Sequence, residues 1–189
     1  MKTLKNLSLL FISALVFTAC SSDDDNPEPV NEEEVITTLT ATLIPAGDGS
    51  TITLQTQDLD GDGPNAPVIT VSGALAANTT YNGTLELLNE NESPAESINE
   101  EIEEEDDEHQ FFFQASNSLA TFTYDDFDED GNPVGLEFTV TTGDTIGTGT
   151  LTITLRHEPS KSATGVSDGD ITNAGGETDI QAVFSISVE

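Results

Sequence analysis

The chain has 189 residues, of which 36 are acidic and four cationic, for a formal net charge of −32 and a pI near 4.1. Such a charge repels nucleic acid and anionic lipid headgroups and attracts cations, so nucleic-acid binding is excluded as a function. Cys20 is the single cysteine, which leaves no partner for an internal disulfide.

Lys2 and Lys5 precede an apolar core from Leu7 to Phe17, which is too short to span a bilayer permanently and has the pattern of a secretory signal. Phe17-Thr18-Ala19-Cys20 then resembles a lipobox. Residues 1–19 are therefore expected to be a lipoprotein signal peptide, with Cys20 lipidated by palmitate-type chains as the mature first residue. The alternative is an ordinary secretory signal with an incidental cysteine. From Cys20 onward only Arg156 and Lys161 stand against the 36 acids, and two cations against 36 acids leave −34. Residues 20–34, SSDDDNPEPVNEEE after the cysteine, lack apolar periodicity and cannot offset their ordering entropy, so they read as an acidic flexible tether. Ser21-Ser22-Asp23-Asp24-Asp25 resembles the surface-export signal of Bacteroidota lipoproteins. It implies the outer membrane with the domain at the cell surface, the periplasmic face being the alternative.

Residues 35–189 are expected to form one domain. Its first stretch alternates with period two: Val35, Thr37, Leu39, Ala41 and Leu43 on one face, Ile36, Thr38, Thr40 and Thr42 on the other, as in half-buried antiparallel strands. Further strands are predicted over Thr51–Gln57, Val68–Leu75 and Tyr81–Leu88. Nine of the thirteen residues from Glu96 to Glu108 are acidic, and the run ends on His109, Gln110 and three phenylalanines. Ser93-Pro94-Ala95-Glu96 fits a capping box with proline at the first helical position. Ile98 and Ile102 would share a face of that helix. Crowded carboxylates and acids near the C-terminus oppose it, so a short, frayed helix is expected, with an extended acidic strand as the alternative. Strands follow over Gln110–Ala115, Leu119–Tyr124, Val134–Thr142, Leu151–His157 and Ile180–Val188. The loop Ser160–Asp179 is long enough inside a compact domain to suggest a binding loop. Closely spaced turns and the absence of βαβ alternation predict a mainly β fold, a single antiparallel Ig-like β-sandwich or flattened barrel with one short acidic helix.

Two segments carry hard-cation spacing. Asp126, Asp128, Asp130, Gly131 and Glu137 satisfy D-x-D-x-D-G-x5-E, which supplies alternating oxygen ligands, a sharp bend and a closing carboxylate for calcium. Pro133 and the flanking strands exclude a true EF-hand, leaving a calcium loop on a hairpin or a solvated turn. Asp58, Asp60 and Asp62 repeat the first half, with Ile69 where the closing glutamate would stand. The two histidines are the transition-metal candidates, for Zn2+ or Cu: His109 follows Glu108 and His157 precedes Glu158. His157 has the parity of Leu151, Ile153 and Leu155 and so points to the core face at the rim of the fold. A shared site requires the imidazoles to lie within about 5 Å of each other. Otherwise both histidines serve only structural hydrogen bonds. No nucleophile elbow, HExxH pair or phosphate-cradling glycine loop is present, which argues against an enzyme.

The segments DLDGDGPNAPVITVSG, LAANTTYNG, EDDEHQFFF, LRHEPSK and VSDGDITNAGGETDI resemble a family of small Bacteroidota lipoproteins labelled "type 1 periplasmic binding fold superfamily". That fold needs two doubly wound α/β lobes, which this chain is too short and too β-rich to build. The resemblance implies an outer-membrane lipoprotein working beside a TonB-dependent transporter in metal uptake. The resulting expectation is a lipid-anchored, non-enzymatic, cation-binding envelope protein. The rival is a calcium-stabilised interaction or adhesion module binding protein or glycan. The ion decides between them, because histidines select zinc or copper and carboxylate loops select calcium.

Overall fold

The computed structural model describes residues 34–61 and 63–189. The expected signal peptide, Cys20 with its lipid, the tether up to residue 33 and Asp62 lie outside them.

The described residues form two antiparallel sheets packed face to face and not closed into a barrel, as in a β-sandwich. The larger sheet holds β1 (Thr38–Pro45), β2 (Ile52–Gln57), β3 (Val68–Val71), β4 (Thr80–Asn89), the two-residue β5 (Glu96–Ser97), β7 (Ala120–Tyr124) and β8 (Glu137–Thr142). Its order is β3-β2-β1-β4-β8-β7, with β5 also on β4. The smaller sheet holds β6 (His109–Ala115), β9 (Gly147–His157) and β10 (Glu177–Val188) in the order β10-β9-β6. One helix, α1 (Asn99–Glu104), separates β5 from β6.

The period-two pattern places the core. Leu39, Ala41 and Leu43 of β1 are fully buried and face Phe111 and Phe113 of β6, Leu151, Ile153 and Leu155 of β9, and Phe184 and Ile186 of β10 in a single apolar cluster. The Phe113 and Phe138 rings stack with centroids 4.2 Å apart. Gly83 of β4 leaves room for Phe138, since a Cβ there would stand 2.5 Å from the ring.

Phe112 points to the opposite face of the smaller sheet, where it packs with Val166 and Ala174 in a second small core. That core accounts for the long loop after β9. Residues 160–176 fold into two 3-10 turns, Val166–Asp168 and Ile171–Asn173, and Gln110 Nε2 donates 2.9 Å to the Val166 carbonyl. The loop is thus anchored over the sheet by Val166 and Ala174, while most of its other residues face solvent.

The helix also departs from expectation. Ser93 does not cap it, because Glu96 and Ser97 are drawn into strand pairing opposite Asn89 and Leu88. The helix starts only at Asn99, whose side chain accepts from Leu87 N (2.7 Å) and donates to Leu85 O (2.9 Å), binding the helix start to β4. Ile98 and Ile102 are both buried, so the shared apolar face is as expected. The helix lasts six residues. β3 ends at Val71 rather than Leu75, and Val68, Ile69 and Thr70 along it are exposed.

Candidate metal centre

The site lies at the end of the sandwich where β6 begins and β9 stops. His109 and His157 are direct cross-strand partners in the β6–β9 register, so their side chains emerge on the same face. Their ring centroids are 4.6 Å apart. This satisfies the distance required of a shared site, and both rings are buried, at 0% and 3% exposure.

Two carboxylates complete the cluster, and neither was among the expected ligands. Glu34 sits just ahead of β1, with its side chain only 1% exposed. Its Oε1 lies 2.7 Å from His109 Nε2 and its Oε2 lies 3.6 Å from His157 Nδ1. Placing Glu34 in the tether is therefore a mistaken boundary: the domain begins at least one residue earlier. Asp179 comes from the bulge at the start of β10, between the pairs Thr178–Arg156 and Ile180–Leu155. A bulge inserts one residue and re-aims its side chain, and here Asp179 Oδ1 comes within 3.8 Å of His157 Nδ1. Gly176 makes this approach possible. Its φ is +67°, and a Cβ there would overlap the His157 carbonyl.

Together Glu34, His109, His157 and Asp179 offer one ligand atom each, all within 4.8 Å of one another. This set could hold a metal ion. The edge of a tetrahedron with bonds near 2.05 Å measures about 3.3 Å, and the contacts of 3.6 and 3.8 Å at His157 Nδ1 lie near it.

The chemistry of the cluster is set by His109. Its Nδ1 lies 3.0 Å from the Glu105 carbonyl, which can only accept, so Nδ1 carries a proton. This is the orientation by which metal-bound imidazoles are usually held from behind. The carbonyl belongs to Glu105, the residue that ends α1, and it also accepts from Glu108 N at 2.9 Å. Nε2 then confronts the Glu34 carboxylate at 2.7 Å, and that contact needs a proton shared between the two or a metal ion. Burial works against the charged ring, but the hydrogen bonds to Glu34 and to the Glu105 carbonyl prevail and hold the His109 pKa above its ordinary 6.5. Burial likewise raises Glu34, yet its bond to His109 and the attraction of both imidazoles leave it below its ordinary 4.5. Glu34 Oε2 and His157 Nε2 are buried without a hydrogen-bond partner among the described residues.

The other expected residues fall in two places. Glu108 Oε2 is 3.6 Å from His157 Nε2, and Glu108, His157 and Glu158 form a second group at the rim. The expected calcium ligands do not converge in any such group among the described residues. Asp126 instead accepts from the backbone of Gly135 and Leu136, both at 2.8 Å. Asp128 accepts from Asp130 N and Asn132 N and pairs with Lys161 Nζ at 3.1 Å. Its carboxylate, 1% exposed, has its cation already, and Lys161 also donates to the Asp106 carbonyl. Glu137 lies exposed on β8, and Asp130 lines an acidic hollow with Glu103, Asp106 and Glu129. In the other half-motif Asp58 accepts from Asp60 N and Asp60 accepts from Asn65, which is turn chemistry.

No family model, curated protein or solved structure matches this chain.

Proposed function

We propose that this protein is a lipid-anchored, non-enzymatic binding protein of the cell envelope that holds a transition-metal dication, zinc or copper, at Glu34, His109, His157 and Asp179. The observation that carries the reading is the contact between His109 Nε2 and Glu34, at 2.7 Å, with the Nδ1 proton committed elsewhere. Two buried carboxylates facing two imidazoles balance when the rings are neutral and one dication sits among them. Imidazole and carboxylate together suit zinc and copper rather than calcium. Anchoring is supported by the Phe17–Cys20 motif behind its apolar core. Work beside a TonB-dependent transporter of the outer membrane rests on the family resemblance alone.

The test is metal analysis of protein purified without chelator, followed by calorimetric titration with zinc. About one equivalent should bind tightly, since the site exists only in the folded chain. His109→Ala and His157→Ala should abolish tight binding. Equal zinc binding by wild type and His109→Ala would overturn the assignment.

A further inference from the structure

His157 presents its two ring nitrogens to two different groups of acids. Nδ1 faces inward, toward Glu34 and Asp179, whose side chains are 1% and 2% exposed. Nε2 faces outward, 3.6 Å from Glu108 Oε2, and is buried with no hydrogen-bond partner among the described residues. Glu108 and Glu158 flank it from the two strands, and Glu158 N donates 2.7 Å to the Glu108 carbonyl, clasping the two backbones past the end of the β6–β9 ladder. Glu158, with φ at +49°, ends β9 there, and its side chain is exposed, as is 46% of the Glu108 side chain. Glu108, His157 and Glu158 thus form a second group of possible ligands, sharing one imidazole with the first.

We propose that this outer group is the receiving position for the ion: a transition-metal dication is captured by Glu108, Glu158 and His157 Nε2, then passes to the inner position on His157 Nδ1. The proposal builds on the inner site described above. Every inner side chain is at most 3% exposed, so an ion gains by meeting ligands at the rim before it sheds its last waters. A neutral imidazole has one lone pair, with its proton on the other nitrogen. His157 therefore serves one position at a time, and the two positions act in sequence.

The experiment is stopped-flow transfer of zinc from a chromogenic chelator to the full metal-free protein, beside equilibrium titration with zinc. In Glu108→Gln/Glu158→Gln the final stoichiometry should stay near one and the affinity within about threefold. The capture rate should fall about tenfold or more. Loss of two charges slows any cation to some degree, so Glu103→Gln/Glu104→Gln serves as control and should capture at close to the wild-type rate. An unchanged rate in the rim variant, equal slowing in the control, or a parallel loss of affinity would each overturn the receiving role. Failure of the wild type to take up zinc at all would instead overturn the inner site.

Discussion

Glu34 and His109 are tied so closely that whatever cation lies between them should govern how the domain responds to pH. In the metal-free protein that cation is a proton. His109 is held above its ordinary 6.5, so its contribution to stability is complete below 6.5 and is lost as pH rises through the raised folded value. Glu34 is held below 4.5, so its contribution is present above 4.5 and lost as pH falls through the lowered one. With chelator, melting temperature should therefore be highest near pH 5–6 and should decline toward pH 8. With zinc, the metal replaces the proton, and the trend between pH 6 and 8 should reverse. Parallel pH profiles with and without zinc would refute the exchange. The inward parity of His157 was legible from the alternation of Leu151, Ile153 and Leu155. Glu34 was not, because nothing in an aperiodic acidic run distinguishes it from Glu32 or Glu33.

Lys161 works between elements. It ties the acidic turn after α1, through the Asp106 carbonyl, to the hairpin between β7 and β8, through Asp128. Removing one partner of a buried pair leaves the other charge uncompensated, which costs about 3–5 kcal/mol. Lys161→Met should therefore lower unfolding free energy by about 3 kcal/mol in urea. Asp128 is held below its ordinary 3.8, burial opposing but its hydrogen bonds and Lys161 prevailing. The wild type should accordingly shed this increment as pH falls below about 3.8, and Lys161→Met should show a weaker acid transition. A loss below about 0.5 kcal/mol would show that the pair is incidental. Strands could be read well from composition because period-two alternation survives burial of one face. The helix start could not, since a local cap at Ser93 competes with pairing of Glu96 and Ser97 on β4, and only the assembled sheet decides that contest. The hairpin's D-x-D-x-D-G spacing was genuine turn chemistry, but a lysine some thirty residues further along the chain supplies its cation.

Across the molecule, the two kinds of cation effect should separate. The many carboxylates repel one another, and salt relieves this whatever its identity, within the limit set by screening. Sodium chloride should raise the melting temperature smoothly in wild type and His109→Ala alike. Zinc at one hundred times its dissociation constant should add about 2.7 kcal/mol in the wild type, or roughly 5–10 °C for a domain of this size, and little in His109→Ala. An equal rise with calcium would reduce the effect to screening. The convergence of the histidines needed the β6–β9 register, which alternation alone does not set. The position of Asp179 needed a bulge, which moves every later residue by one place relative to its partners.

Glu34 and Asp179 stand far apart along the sequence, with His109 and His157 between them, yet all four meet in one cluster. The full set of four ligands is therefore absent on a growing chain: it exists only once β10 has been laid against β9. If residues 1–19 direct the chain across a membrane before it folds, the protein crosses empty. Affinities for nitrogen and oxygen sites follow much the same order everywhere, with copper above zinc. The ion this protein carries would then be decided by which metal is free in the compartment where the last strand closes, and not by the cytoplasm in which the chain was made.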